Sequence, residues 1–345
     1  MGPYDRPVLE QFPEESERSR RPGRRGRRVL VVLLAMAFLA VASMGGLLLF
    51  LNSKIGGIKT DNSLLPNNSA QEGDSETGGG EGDPELVTNA GKNYLIIGSD
   101  ARPGDTFSRS DVIILGHVSA KKDKVYLIHF PRDLYVEIPG RGKDKINAAY
   151  AYGGGALLAS TLQNLTRVKI DHAAKIDFEG FKRMTDAVGG VRVWAEQPST
   201  QKDLQIVKGW NDLDGTQALA FVRERYQLKE GDIDRGRRQM AFVKALMVKS
   251  LSPSVVLNPV KLTSFINAAT DNMVVDEGLT GKYIRSEALA MKGLRGDDIE
   301  FITAPFSGYG TAPNGGAIDI LDEARMESLA LALQDDKVEE YLAGN

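Results

Sequence analysis

Apolar and polar positions divide the chain into three stretches. Val29 to Leu51 is apolar and carries no charge. From Asn52 to about Ala90 apolar residues are sparse, and Gly, Asn, Ser, Asp and Glu dominate. From about Asn93 onward short apolar runs alternate with polar turns and with runs of helical spacing. Strands are predicted at Tyr94–Ile97, Val112–Val118, Val125–Phe130 and Leu134–Ile138. The polar run Lys121-Lys122-Asp123-Lys124 separates the second and third, and Pro139-Gly140 stops the fourth. Helices are predicted from about Ala156 to Leu165, entered through Gly153-Gly154-Gly155, and from Phe178 to Val188, ended by Gly189-Gly190. Two more are predicted from about Gly215 to Phe221 and from Asp234 to about Ser250. Further strands fall at Val191–Trp194 and Ile299–Thr303, with helices through the last hundred residues and a polar loop from Pro198 to Gly209. Strands mixed with helices predict an α/β or α+β sandwich.

The first stretch reads as a membrane anchor. A run of about 20 apolar residues crosses the hydrocarbon core as a helix. Arginines at 18, 20, 21, 24, 25, 27 and 28 precede it, which places residues 1–28 in the cytoplasm and the rest of the chain outside. A cleaved signal peptide would have a shorter apolar core, whereas this one continues through Leu47-Leu48-Leu49-Phe50-Leu51. The predicted organisation is a cytoplasmic basic tail (1–28), a transmembrane helix (29–51), a flexible extracytoplasmic stalk (52–90) and a folded domain (91–345). The stalk follows from composition, because so few apolar residues cannot offset the entropy of ordering the chain.

Composition narrows the chemistry. With 43 basic and 46 acidic residues the net charge is -3, which argues against bulk nucleic-acid binding. The absence of cysteine excludes disulfides, thiolate metal sites and cysteine nucleophiles. His117, His129 and His172 are scattered, and the first two sit in apolar strand-like runs, so packing is their expected role.

What remains is a set of charged residues at predicted element boundaries. They are Gly98-Ser99-Asp100-Ala101-Arg102, Arg109-Ser110-Asp111, Pro131-Arg132-Asp133, Arg223-Glu224-Arg225 and Asp234-Arg235 with Arg238-Gln239. If the first three strands form an antiparallel meander, Asp100 and Asp111 lie at the same end of the sheet, and the third strand returns Arg132 there. Arg223 and Arg225 face one ligand only if their helix ends near Phe221. Asp234 is an expected N-cap, which puts Arg235 and Gln239 on one face of the next helix at its N-terminus, a ready anion site. Guanidiniums about 4 Å apart repel by roughly 4 kcal/mol at an effective dielectric of 20, so such a cluster calls for an anion. Arginine matches phosphate oxygens two at a time, and paired aspartates beside phosphates suit Mg²⁺. Each residue singly also suits a turn or a solvated face. Gly153-Gly154-Gly155 lacks the lysine and threonine of a Walker loop, so a flexible helix entry is expected there.

These residues resemble the LytR–CpsA–Psr family of cell-wall phosphotransferases. The stretches that carry the resemblance are Asn93 to Arg102, Arg109 to Leu115, Phe130 to Val136, Lys145 to Gly154 and Ile176-Asp177-Phe178. They continue through Asp186 to Val191, Leu213-Asp214-Gly215, Ala218 to Arg225 and Gly231 to Gln239. The order is the family's, and coverage runs from about Asn93 to Leu246. The resemblance implies an α-β-α sandwich with a central mixed sheet flanked by helices. It also implies transfer of a glycan phosphate from a polyprenyl-pyrophosphate carrier to peptidoglycan at the cell membrane. By resemblance Asp100 and Asp111 are Mg²⁺-linked carboxylates, and with Arg132 they form the catalytic set. Arg109, Arg132, Arg223, Arg225, Arg235 and Gln239 match the pyrophosphate-binding residues, and the prenyl tail lies between sheet and helices. Two other activities fit the same residues: a pyrophosphatase releasing the phosphate to water, and a non-catalytic binding or regulatory module for anionic wall polymers.

Overall fold

The structure is a computed structural model. It describes residues 58–66, 86–89, 91–99 and 110–344, apart from 202–203, 230, 251, 257, 292–293 and 295. The predicted cytoplasmic tail and transmembrane helix lie outside the described residues. Among the described residues no helix is long and apolar enough to cross a membrane.

In chain order the elements begin with β1 (Lys59–Thr60), β2 (Lys92–Ser99), β3 (Ser110–Val118), β4 (Val125–Phe130), β5 (Leu134–Ile138) and β6 (Gly142–Lys145). Then follow α1 (Ile146–Thr166), β7 (His172–Asp177), α2 (Phe178–Ala187) and the strands β8 (Val191–Ala195), β9 (Ser199–Gln201), β10 (Leu204–Ile206) and β11 (Gly209–Leu213). Helices α3 (Gly215–Arg223), α4 (Asp232–Ser250) and α5 (Pro259–Asp271) lead to β12 (Met273–Val275) and α6 (Gly281–Ala290). The chain closes through β13 (Ile299–Thr303), β14 (Phe306–Thr311), β15 (Ala317–Leu321), α7 (Glu323–Gln334) and α8 (Val338–Ala343).

The central sheet is mixed, in the order β1-β12-β7-β2-β3-β4-β13. β2, β3 and β4 form the expected antiparallel meander, with Ile96 opposite Ile114 and Ile114 opposite His129. Successive side chains on a strand point to opposite faces, so Ile96, Ile114 and Leu127 feed one core while Ile97, Ile113 and Ile128 feed the other. The first core is covered by α2 to α6 and the β8–β11 hairpin; the second is covered by α1, α7 and a four-stranded sheet, β14-β15-β5-β6. The result is the expected α-β-α sandwich.

Local chemistry explains most element ends. Asp177 caps α2, accepting from the Gly180 N–H at 2.7 Å, and after Val188 the chain turns through Gly189 and Gly190, both at φ +85°. Asp214 and Gln217 form a reciprocal capping box at α3. Asn258 caps α5, with Pro259 in its first turn.

Two expectations need correction, the loop at Pro198–Gly209 and the stalk at 58–66; β5, whose sheet the sequence left open, pairs with β6 and β15 in the second sheet. The Pro198–Gly209 stretch is not a plain loop, because β9 and β10 pair within it. α1 is two helical pieces joined at a kink: Gly153 and Gly154 are non-helical, Gly154 with φ +62° and ψ -153°, a backbone that favours glycine. The helix predicted from about Ala156 is therefore entered through its glycines as expected, and a further piece from Ile146 precedes it. Residues 58–66, assigned by composition to a flexible stalk, are part of the fold. β1 extends the sheet edge, and the Leu64 side chain is 2% exposed in the second core. A Cβ added to Gly155 would lie 2.8 Å from both the Leu64 Cα and its carbonyl oxygen, so that glycine lets the segment seat.

Candidate active site

The meander brings Ser99, Ser110 and Phe130 to one end of the sheet, where Ser99 pairs with Ser110 and Ile113 with Phe130. Asp111 is the second residue of β3, so its backbone belongs to this end. Arg132 follows β4 by two residues, as strand direction required. Its carbonyl accepts from the Asn147 N–H at 3.2 Å, and its Nε lies 3.4 Å from Asp133, which also pairs with Lys145 at 2.9 Å. Asp100 and Arg109 lie outside the described residues.

At the same end a cavity of ≈ 930 Å³, counting its open mouth, lies between the sheet and the α2, α3 and α4 layer. Its walls are apolar: Ile96, Ile114, Phe181, Phe242 and Leu246 are among them. Its polar groups are few: Arg223, Arg235, Gln239 and Asp177. An apolar cavity with convergent cationic groups suits a ligand that is part hydrocarbon and part anion. Arg235 and Gln239 are one helical turn apart on α4, 9% and 8% exposed respectively. Their shared face is as the sequence predicted.

The helix end differs from the prediction in a way that matters. α4 begins at Asp232, so Asp234 lies inside the first turn rather than capping it. Its carboxylate instead accepts from Gln197 Nε2 at 2.6 Å and from Arg237 at 2.9 Å, tying the helix to the strand after β8. Arg238 strengthens the same joint. Buried at 5% exposure, it donates to Ser199 Oγ and the Gln197 carbonyl and lies 4.6 Å over the Phe221 ring. Burial pushes its pKa down, opposed by the Glu224 and Asp234 carboxylates.

Arg223 and Arg225 differ in their surroundings. α3 continues two residues past its predicted end, so Arg223 is still helical and lines the cavity. Arg225 lies beyond the extended cap residue Glu224, and its guanidinium sits 4.7 Å over the Tyr226 ring and donates to the Tyr226 hydroxyl at 2.7 Å. The predicted residues that the described structure gathers in the cavity are therefore Arg223, Arg235 and Gln239.

Two residues near the cavity were not predicted as site residues. Asp177 lines it, although Oδ1 is already engaged in capping α2. Its signal was present in the Ile176-Asp177-Phe178 match. His129 lies on the cavity-facing side of β4, opposite Ile114 and beneath the first turns of α4. It is 5% exposed, and burial, then the nearby Arg235 guanidinium, push its pKa down to about 4. It is therefore neutral at physiological pH, and it adds no charge beside Arg235.

Oxygen chemistry dominates the donors near the strand ends. Ser110 is fully buried, and its Oγ has no hydrogen-bond partner among the described residues. A buried hydroxyl beside Asp111 fits a hard, oxygen-seeking cation. Among the described residues no group of three or more His, Asp or Glu side chains gathers as a metal site.

Fold and cavity define a class: a three-layer α/β protein with a cavity between its sheet and helices that joins apolar walls to cationic groups. The LytR_cpsA_psr family model matches residues 49–335, and the chain belongs to that family. It is 35% identical over 261 residues to the Corynebacterium glutamicum protein named "Probable cell wall biosynthesis protein LcpB", covering 71% of this chain and 61% of that relative. A second relative is the Oceanobacillus iheyensis "Polyisoprenyl-teichoic acid--peptidoglycan teichoic acid transferase TagU", 34% identical over 66% of this chain and 72% of its own. Among solved structures the crystal structure of B. subtilis TagV matches with a TM-score of 0.60 and 28% identity, over 72% of this chain and 97% of that one. "TagT bound to LI-WTA" matches with a TM-score of 0.56 and 26% identity, over 75% and 94% of the two chains.

Proposed function

We propose that the protein transfers a glycan phosphate from a polyprenyl-pyrophosphate carrier to peptidoglycan, outside a membrane in which residues 29–51 anchor it. The observation that carries this reading is the cavity, which joins apolar walls to Arg223, Arg235 and Gln239. The apolar part takes the prenyl chain. The cations and the positive end of α4 take the pyrophosphate. The names of the TagU and TagT relatives support a wall polymer as donor and peptidoglycan as acceptor.

An acceptor hydroxyl attacks the glycan-side phosphorus. A new phosphorus–oxygen bond forms, the bond to the bridging oxygen breaks, and prenyl phosphate leaves. The hydroxyl proton passes to a carboxylate, Asp100 or Asp111. Arg132, Arg109 and Arg225 complete the binding set with the cavity residues, offsetting charge that spreads onto the leaving phosphate. Asp100 and Asp111 would hold Mg²⁺, which supplies electrostatic stabilisation of the phosphate oxygens.

The test is transfer of a lipid-pyrophosphate glycan onto peptidoglycan by wild type, Arg235→Ala and Asp111→Asn. Losing an anion-binding arginine or the reacting carboxylate is expected to lower kcat/KM by roughly 10²-fold or more. Wild-type rates in both variants would remove the assigned roles. Release of phosphorylated glycan to water at the same rate with and without peptidoglycan would make the protein a pyrophosphatase. Carrier binding with no turnover would make it a binding module.

A further inference from the structure

The chain enters its folded domain at one defined point. β1 runs parallel to β12, with Lys59 opposite Val274 and Thr60 opposite Val275. β12 runs antiparallel to β7, with Met273 opposite Ile176. Ile58 thus comes before the sheet at the Met273–Ile176 end, where Ile176 and Asp177 line the cavity. The entry is fixed on both sides: Ile58 packs against the cavity-side core, and Leu64 is buried in the opposite one against Gly155.

Length then limits how the domain can stand on a membrane. Seven residue steps separate Leu51, the last residue of the apolar run, from Ile58. Fully extended they reach about 25 Å. The eight residues of β2 alone span about 26 Å along the sheet. A domain turned over would put that length and its end loops between Ile58 and the lipid, more than the tether covers. The chemistry of the cavity end agrees. In the connection that leaves the cavity-lining Arg223 for α4, Tyr226 is 84% exposed with Arg225 stacked on it, and Arg223 and Lys229 are exposed in the same stretch. Tyrosine with clustered cations is the composition that settles at lipid head groups, above all anionic ones.

We propose that the cavity end, carrying Tyr226, Arg225 and Lys229, is the face that rests on an anionic lipid bilayer, and that the β1–β12 clasp and the short tether hold it there. The inference rests on the membrane anchor of the proposed function. It adds the orientation: the cavity opens toward the lipid, so a carrier enters it with its prenyl chain still close to the bilayer.

The chain lacks cysteine, so single cysteines report position cleanly. The full chain would be reconstituted in phosphatidylcholine/phosphatidylglycerol vesicles as Lys229→Cys, at the cavity end, or as Lys121→Cys, in the β3–β4 turn at the opposite end. Each would carry a fluorophore quenched by spin-labelled head groups. Quenching at least threefold stronger at position 229 is expected. Equal quenching, or stronger quenching at 121, overturns the orientation. A twenty-residue Gly/Ser insertion between Asn52 and Ser53 keeps the clasp and lengthens the tether, and is expected to shrink the difference at least twofold. An unchanged difference overturns the role of the tether. Transfer assayed with detergent-dissolved carrier separates the two readings. An active protein without the quenching difference sinks the orientation alone, and an inactive one that shows the difference sinks the reaction alone.

Discussion

A histidine that the sequence offered only as packing turns out to sit beside the site. His129 is buried next to Arg235 and titrates at about 4 rather than near 6.5. The unfolded chain therefore takes up a proton in a pH range where the folded chain refuses it. Stability is full above about pH 6.5 and falls as pH drops toward 4, by about 3 kcal/mol in total. His129→Asn is expected to flatten that slope, whatever it does to stability at neutral pH. Urea unfolding of both proteins at several pH values between 4 and 7 checks this, and parallel slopes would show that His129 is not the titrating group. Nothing in the linear sequence exposes this arrangement. His129 looks like any strand histidine until β4 is paired with β3 and α4 is laid across it.

Elements were legible where a local signal set them. β4, β5 and β13 have their predicted bounds because apolar runs met polar or proline stops. α2 did too, within a residue, because Asp177 and two glycines bracket it. The failures share a cause, since tertiary pairing decided them. β5 has its predicted bounds, but nothing local assigns it to the second sheet, where β6 and the distant β15 flank it. β9 and β10 carry too few apolar positions to show a period. α3 outran its predicted end, and that extra half-turn sent Arg223 and Arg225 to different surroundings. The glycine triplet in α1 is the expected entrance to the helix at Ala156; what no local signal shows is the helical piece before it and the seat that Gly155 gives Leu64. Gly155→Ala would press a methyl group onto the Leu64 backbone at 2.8 Å. A backbone contact of that kind relaxes only by moving the segment, so a loss of about 1–3 kcal/mol is expected in denaturant unfolding. Leu64→Ala in the same protein should recover little of it, because the clash is with main chain.

At the scale of the whole molecule, composition drew the domain boundary in the wrong place. A polar, glycine-rich stretch was assigned to a tether, yet its first described part completes the sheet and fills a socket in the second core. Burying a leucine is worth about 1.5–3 kcal/mol. A fragment beginning at residue 91 is therefore expected to melt several degrees below one beginning at residue 58. Equal melting temperatures by calorimetry would show the segment to be energetically idle. The site was legible to a similar degree. Arg223, Arg235 and Gln239 line one cavity; helical period puts Arg235 and Gln239 on one face, and only the packing of α3 against α4 brings Arg223 beside them. Arg225 lies apart on Tyr226, for want of any signal that α3 would run on.

The pairing of Lys59 with Val274 also orders events in time. The strand nearest the start of the domain has no partner until the chain has been made into its last quarter. Contacts so far apart in sequence form late. The segment around Lys59 and Leu64 would therefore dock only after the strands of the meander have paired, closing the sheet edge last.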